Sequence, residues 1–366
     1  MQRLALLIGL LLGASIFTSH ADPSKPPVRV AVIGLSHDHA FGFFPRLQGR
    51  GDIELVGIVE TNLDLIERYA TRFHLNRELF APSLNQLLTR TNFQAVAVFT
   101  SPFEHRRAVE QCAPHGIDVM MEKPMAVSVE DARAMEAAAK AGGIQVVVNY
   151  ETTWYPSTQA AHTLACGDNA IGDLRRFVVH DGHRGPKEIG CSTNFLNWLT
   201  DPVLNGGGAL TDFGCYGADL ITWFMGGERP LSVFAVTQHV KPEVYPKVDD
   251  DATIVITYPK AQGIIQASWN WPFDRKDMEI YGRTGYILAP GNDLLLVRKP
   301  GGAETKVVPP PLTGPEADPI SYLVAVVRRE LRPAGLSSLE INLIVTEILD
   351  AARESAQTGR RIELGQ

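Results

Sequence analysis

Two separated stretches of the chain carry side chains that could move a proton or hold a hydroxyl group. Lys123 follows an apolar run, and Asp212 and Tyr216 are four residues apart, so on a helix they share one face. A carboxylate beside a phenol can transfer a proton, and a nearby ammonium group would lower the pKa of the phenol. We therefore predict that Lys123, Asp212 and Tyr216 are catalytic. A solvated lysine and an amphipathic core helix are the alternatives that these residues alone leave open.

The residues before Lys123 predict where it lies. Residues 117–121 form an apolar run of strand length, which ends at Glu122 and Pro124. Proline cannot donate to a sheet, so the strand must stop there. Because open α/β sheets bind ligands at the carboxyl ends of their strands, Lys123 is predicted at a ligand-binding edge. Its replacement by alanine is expected to abolish turnover and to leave the fold intact.

Strand and helix patterns alternate over residues 28–150. The predicted strands cover residues 28–35, 53–59, 95–100, 117–121 and 144–149, with helical patterns between them. Such alternation is typical of a doubly wound parallel sheet, so the fold class is α/β with an N-terminal Rossmann domain at residues 22–150.

The turn after the first strand is a weak dinucleotide fingerprint. Gly34 stands at a glycine position, whereas Ser36 and His39 occupy the other two. Glu60 ends the next strand, about 25 residues further on, where a carboxylate accepts from ribose hydroxyls and repels a 2′-phosphate. This favours NAD, with NADP less favoured. A solvated Glu60 at a strand end is the alternative.

The pattern changes after Tyr150. A long helix is predicted at residues 207–224, followed by strands at 231–240, 252–258, 263–269 and 278–281 and by helices at 320–331 and 339–357. Residues 151–366 are therefore expected to be an α+β domain with a mostly antiparallel open sheet, whose last helices could pack back on the first domain. The acidic run at 249–251 is interpreted as a solvated turn.

Composition excludes some classes of partner. The 366 residues carry a formal net charge of −7, which argues against a nucleic-acid partner. Residues 1–21 combine a basic start, a short apolar run and a small-residue cleavage site after Ala21, which predicts a signal peptide and a periplasmic or secreted protein with no membrane partner after cleavage. Export permits disulfides, and Cys166 with Cys191 is the pair to test, since Cys112 and Cys215 lie in apolar helical patterns.

Several motifs together resemble the Gfo/Idh/MocA oxidoreductases over nearly all of the mature chain. They are the Glu122-Lys123-Pro124 motif, Pro102 with His105, the triple glycine at 206–208 before Asp212, and the final segment at 354–364. The resemblance implies a nicotinamide cofactor, a sugar or polyol substrate and a homo-oligomer built on the open sheet. It also implies that Lys123 lies between cofactor and substrate. Tyr216 stands where many members have histidine. Members similar to glucose–fructose oxidoreductase and dihydrodiol dehydrogenases have tyrosine there as the acid/base, so the resemblance implies that role for Tyr216.

The predicted cofactor-binding residues are Gly34, Leu35, Ser36, His37, Glu60, Thr100, Ser101, Pro102, His105, Glu122, Lys123 and Asn149. The predicted substrate-binding residues are Trp154, Tyr155, His180, His183, Arg184, Asp212 and Tyr216. Aromatic faces suit sugars, and the polar groups would fix hydroxyls. The alternative for the His180–His183 cluster is a metal-binding role, but no metal is expected.

Three functions remain open. The leading expectation is an exported NAD(P)-dependent oxidoreductase acting on a sugar or polyol hydroxyl. Because free NAD is scarce outside the cytoplasm, a redox-neutral NAD-dependent glycosidase working through a transient 3-keto sugar is the first alternative. The second is a non-catalytic carbohydrate-binding protein that has lost the cofactor, which the substitutions at Ser36 and His39 suggest.

Overall fold

A computed structural model describes residues 25–365 of the chain. The predicted signal peptide lies outside the described residues, so export stays a prediction. Among the described residues, no helix combines the length and apolar character needed to cross a bilayer.

The first sheet has six parallel strands in the order β3-β2-β1-β4-β5-β6. Their bounds are β1 Val28–Ile33, β2 Ile53–Val59, β3 Phe80–Ala81, β4 Ala95–Val98, β5 Asp118–Glu122 and β6 Val146–Asn149. The order reverses between β1 and β4, which is the switch point where α/β sheets bind ligands. The doubly wound prediction is confirmed. The two-residue strand β3 was not predicted, because it is too short to show periodicity.

Helices cover both faces of this sheet, as the alternation requires. They are α1 Ala40–Leu47, α2 Leu63–Phe73, α3 Leu84–Leu88, α4 Pro102–Cys112 and α5 Val129–Gly142. The Ser128 hydroxyl caps α5 by accepting from the backbone N–H of Asp131 at 3.1 Å. Such a cap satisfies one of the four N–H groups that a helix start leaves without a partner.

The second sheet has nine strands in the order β14-β13-β12-β11-β7-β10-β9-β8-β15. Their bounds are β7 Leu174–Gly182, β8 Ser232–Gln238, β9 Asp251–Thr257, β10 Gln262–Ser268, β11 Arg275–Gly282, β12 Tyr286–Ala289, β13 Leu295–Arg298, β14 Thr305–Val307 and β15 Ile362–Glu363. Among the described strands of this sheet only β7 and β10 pair in parallel, so the mostly antiparallel prediction is confirmed. Strands β12 to β14 were missed because each has at most four residues.

The remaining helices connect the two sheets. They are α6 Pro156–His162, α7 Thr193–Leu199, α8 Ala209–Asp212, α9 Gly214–Phe224, α10 Pro319–Val327 and α11 Leu339–Thr358. Helix α10 shares a core with β1 and α1, and Ile320 and Leu323 are fully buried there. Helix α11 packs on α9, α5 and β8. Both of the last helices therefore contact elements of the first sheet and its helices.

One local prediction in the second domain is wrong. The acidic run is not a solvated turn: Asp249 accepts from the N–H groups of Gly208 and Leu210, and the fully buried Asp250 accepts from those of Val240 and Lys241. Asp249 holds the start of α8, and Asp250 holds the start of the loop between β8 and β9. The sequence could not show this, because the partners are backbone groups distant along the chain.

Cys166 and Cys191, the pair that the sequence singled out for testing, form no disulfide, because all four thiols are free. The Cys166 Sγ atom donates to the carbonyl of Phe224 at 3.5 Å.

Candidate active site

Lys123 leaves the end of β5 and joins the two sheets. Its Nζ atom donates to Asp212 Oδ1 at 2.7 Å and to the Asp212 carbonyl at 2.8 Å, and both side chains are buried. Proline after Lys123 ends the strand, so the lysine extends from the sheet edge towards the second domain, as predicted.

The contact with the carbonyl explains why the predicted helix at 207–224 is two helices. In a continuous helix the Asp212 carbonyl would accept from the N–H of Tyr216, four residues on. Here that carbonyl binds Lys123, and the Tyr216 N–H donates to Phe213 at 3.2 Å instead. The break between α8 and α9 therefore accompanies the placement of Asp212 over Lys123.

Asp212 is fixed on its other side by a tryptophan. Trp269 Nε1 donates to Asp212 Oδ2 at 2.9 Å, and Trp269 is completely buried. Burial opposes ionisation, but the Lys123 ammonium outweighs it and lowers the pKa of Asp212. Likewise, burial would lower the pKa of Lys123, but the Asp212 carboxylate outweighs it and the pKa is raised. The pair is therefore charged at neutral pH.

Tyr216 lies against two ammonium groups. The Nζ atoms of Lys123 and Lys276 are each 4.8 Å from the centre of its ring. The expectation that Lys123 lowers the pKa of this phenol is wrong: burial first, then the Glu151 carboxylate, raise it well above the ordinary value. The physical reason is that burial disfavours the charged phenolate and that the nearby carboxylate repels it. Tyr216 is thus a neutral phenol at ordinary pH.

Lys276 and Glu151 were missed by the sequence analysis. Lys276 lies on β11, forms an ion pair with Glu151 and pairs in register with Asp181 on β7. Nothing in an alternating charged strand distinguishes this lysine from solvated ones, so its position could be found only from the strand pairing.

Glu122, Asn149 and Trp154 are joined by hydrogen bonds. Asn149 Nδ2 donates to Glu122 Oε1 at 2.8 Å, and Trp154 Nε1 donates to Asn149 Oδ1 at 2.9 Å. His39 Nδ1 donates to the second oxygen, Glu122 Oε2, at 2.8 Å. Burial raises the pKa of Glu122, but His39 outweighs it and the net shift is downward.

The glycine turn has the conformation that a dinucleotide turn needs. Gly34 has φ +76°, and a Cβ atom there would lie 2.4 Å from Thr100 Cγ2. Positive φ and the close approach of β4 both require glycine. Ser101 and Pro102 begin α4, which starts at the same sheet edge.

Glu60 stands where it was predicted but has backbone partners. One of its oxygens accepts from Leu35 N at 2.9 Å, and the other accepts from Thr61 N and Asn62 N, each at 2.8 Å. Among the described residues, the N–H groups of Ser36 and Asp38 make no hydrogen bond. The carboxylate therefore holds the turn, and these two N–H groups are available to an anion.

Helix α7, which the sequence analysis missed, covers the same turn. Trp198 Nε1 donates to the Ser36 carbonyl at 3.2 Å, and the N–H of Ser192 donates to Asp38 Oδ2 at 2.7 Å. The seven residues of α7 are too few for a clear helical period, so the tryptophan had no predicted partner. The second domain thus closes over the turn of the first.

His105 is buried behind the Lys123 strand end. Its Nδ1 atom bonds the Met125 carbonyl at 3.0 Å, and burial lowers its pKa to about 4. The ring is therefore neutral, and it holds the segment that follows Pro124.

The predicted substrate residues do not all converge. Trp154 and Tyr155 line a cleft of about 560 Å³, together with His39, Glu122 and Asn149. The His183 ring meets Phe213 edge-on at 4.9 Å. His180 Nδ1 bonds Asp277 Oδ2 at 2.9 Å, and the Arg184 side chain is exposed.

Comparison with known proteins agrees with this architecture. The model described as "Oxidoreductase family, NAD-binding Rossmann fold" matches residues 28–150, and "GFO/IDH/MocA C-terminal domain" matches residues 160–288. Together these matches cover more than half of the chain. The chain belongs to the GFO/IDH/MocA oxidoreductase family, as the motifs predicted.

Individual relatives are distant. Trans-1,2-dihydrobenzene-1,2-diol dehydrogenase of Sus scrofa is 25% identical over 61% of this chain and 61% of its own length, which is less than two thirds of that relative. D-apiose dehydrogenase of Paraburkholderia graminis is 25% identical over 88% of both chains. The crystal structure of aldose-aldose oxidoreductase from Caulobacter crescentus complexed with glycerol superposes with a TM-score of 0.79 at 22% identity, covering 92% of this chain and 100% of that one. At that identity the superposition shows the fold alone.

Proposed function

We propose that the protein is an NAD-dependent oxidoreductase that transfers hydride to or from a carbon bearing a sugar or polyol hydroxyl. The observation that carries this proposal is the buried Lys123–Asp212 ion pair next to the Tyr216 ring, at the carboxyl edge of the Rossmann sheet. A charged lysine and a neutral phenol side by side are suited to binding and protonating an alcohol or carbonyl oxygen.

The residues present fit a dinucleotide. The Gly34 turn, the two N–H groups of Ser36 and Asp38, and the start of α4 would hold its phosphates at the switch point. Glu60, although engaged by backbone N–H groups, keeps a negative charge where a 2′-phosphate would lie, which favours NAD over NADP. When bound, the nicotinamide supplies a hydride acceptor and donor.

The protein side chains then have separate roles. Lys123 would donate a hydrogen bond to the substrate oxygen, and Asp212, held by Trp269, would keep the lysine oriented and charged. Tyr216 would give its phenolic proton to a carbonyl oxygen during reduction and take it back from the hydroxyl during oxidation. Its raised pKa keeps the phenol protonated at ordinary pH, which is the form that can donate a proton.

The substrate class follows from the cleft and from the relatives. Trp154 and Tyr155 offer ring faces, and Glu151 and Asn149 offer hydrogen-bonding groups at the same cleft. That combination is suited to a hydroxylated ring. A relative named as a D-apiose dehydrogenase supports a sugar. An exported location and a homo-oligomer formed by the open sheet complete the proposal, on the grounds of the N-terminal sequence and the family resemblance.

Cofactor binding is the most informative test. The purified full chain is expected to carry bound nicotinamide, seen by its absorbance, or to show a rise in melting temperature with NAD. The Lys123→Met variant should lose sugar oxidation, whereas Lys140→Met, which changes an exposed lysine on α5, should not. A chain that neither carries nor binds a dinucleotide would contradict the proposal and favour a non-catalytic carbohydrate-binding role.

A redox-neutral glycosidase is the second candidate. Helix α7 closes over the glycine turn through Trp198 and Ser192, which favours a cofactor that stays bound through a full cycle. Aryl glycosides offered without added NAD distinguish the two functions. Release of the aglycone without net nicotinamide reduction supports the glycosidase, and steady NADH production from free sugar supports the dehydrogenase.

A further inference from the structure

Two imidazoles and a carboxylate cluster beside the glycine turn. His37, His39 and Glu122 each offer one ligand atom, and these three atoms lie within 4.8 Å of one another. Around a tetrahedral zinc ion, with bonds of about 2.0–2.2 Å, ligand atoms are about 3.3–3.6 Å apart. The cluster is therefore close to a ligand set, and modest side-chain rotations would complete it.

We propose that His37, His39 and Glu122 form a binding site for a divalent transition-metal ion of the zinc type. His39 Nδ1 and Glu122 Oε2, now 2.8 Å apart, share a proton that the ion would replace. Two imidazole nitrogens and one carboxylate oxygen are a ligand set that such ions accept. The site differs from the His180–His183 cluster weighed from the sequence, where His180 is instead paired with Asp277.

Neighbouring groups already orient the ligands. Asn149 Nδ2 donates to the second oxygen of Glu122 at 2.8 Å, and Trp154 Nε1 donates to Asn149 at 2.9 Å. The His37 ring is held by Phe195, with ring centres 4.7 Å apart. Hydrogen bonds and packing of this kind, one step away from the metal, typically fix ligand orientation in metal sites.

The site is closed on one side and open on the other. His37 and Glu122 are buried, whereas 47% of the His39 side chain is exposed, and His39 and Glu122 line the 560 Å³ cleft. Three protein ligands and an open fourth position are typical of zinc sites that bind a further ligand. An oxygen ligand, from water or from a small molecule in the cleft, would occupy that position.

The proposal does not depend on the oxidoreductase activity. Without an ion, His39 and Glu122 would form a simple ion pair whose function is to hold the turn against β5. The two interpretations differ in metal content, which can be measured without any substrate.

The test uses the untagged full chain, stripped with a chelator and dialysed. Titration with Zn²⁺, followed by calorimetry and elemental analysis, should give one ion per chain, and Co²⁺ should give the visible absorption of a four-coordinate site. His39→Gln and Glu122→Gln should each weaken binding by more than about tenfold, and Asn149→Ala by about 10–100-fold. The matched control, His115→Gln, changes an exposed histidine outside the cluster and should bind as the wild type does.

Two results would overturn the proposal. One is a stripped wild-type chain that takes up no ion. The other is an ion that His39→Gln and Glu122→Gln bind as tightly as the wild type. Circular dichroism of each variant checks its fold. Because His39 is half-exposed, its replacement keeps the test decisive even where Glu122→Gln fails to fold.

Discussion

Replacing Lys123 by methionine tests the central ion pair most directly. The methionine keeps most of the side-chain volume but leaves the Asp212 carboxylate buried without its cation. Removing one partner of a buried ion pair costs about 3–5 kcal/mol. We therefore expect the free energy of unfolding to fall by about that amount, together with loss of turnover. This revises the expectation from the sequence that the fold would be unaffected by removing Lys123, because the structure shows that the Lys123–Asp212 ion pair is buried.

A double variant separates the charge effect from the packing effect. In Lys123→Met/Asp212→Asn no unpaired charge remains, and the asparagine oxygen can still accept from Trp269, so most of the lost stability should return while activity stays lost. Urea unfolding of the wild type and both variants measures this.

The pH dependence of stability has a definite sign. In the wild type the pKa of Asp212 is lowered, so its stabilisation is present above the unfolded pKa and is lost as pH falls through the folded pKa. In Lys123→Met the buried carboxylate takes up a proton more readily. The stability deficit of that variant should therefore shrink from about pH 7 to about pH 4. Equal urea midpoints for the wild type and Lys123→Met at neutral pH would refute the reasoning.

Three further predictions follow from single side chains. Tyr216→Phe should lower turnover about 10²–10⁴-fold with NAD affinity unchanged, measured by steady-state kinetics and by calorimetry; unchanged turnover would exclude the phenol as acid/base. Gly34→Ala should weaken NAD binding and lower the melting temperature more than Gly49→Ala does. Both glycines have positive φ, but a Cβ at Gly49 meets no atom within 4 Å, so equal losses would point to backbone strain alone. Burial raises the pKa of Asp181 to about 8, so its contribution makes the chain less stable as pH rises from about 4 to about 8. Asp181→Asn should remove that slope from melting temperatures recorded across the range, and an unchanged slope would contradict it.

The Rossmann half of the fold could be predicted because its signals are local. Buried parallel strands are continuous apolar runs, and glycine and proline mark their ends. The turn at Gly34 and the strand end at Lys123 could be located from these apolar runs and the residues that end them. Strands β3 and β12 to β14 could not be predicted, because runs of two to four residues carry no period.

The site could be predicted where reactive residue types are close together in the sequence. It could not be predicted where residues distant in the sequence contact one another in the fold. Asp212 and Tyr216 were predicted on one helix face next to Lys123; both lie against Lys123, but on the separate helices α8 and α9. Trp269 follows the end of β10, and Lys276 and Trp198 lie on β11 and α7, so their contacts depend on how the sheets and helices pack. The predicted direction of the Tyr216 pKa shift was wrong for the same reason, since that pKa depends on burial and on Glu151, which meet the ring only in the folded chain.

The contacts of Lys123 and Trp198 imply that neither domain forms the site alone. Lys123 extends from the first sheet to Asp212, and Trp198 extends from the second domain to the Ser36 carbonyl beside the predicted phosphate position. A buried ion pair is oriented only while the surrounding groups stay in place, because water would otherwise solvate both charges. Substrate chemistry and cofactor binding should therefore be lost together when the two domains separate, and the contacts between them are as important to function as the catalytic groups.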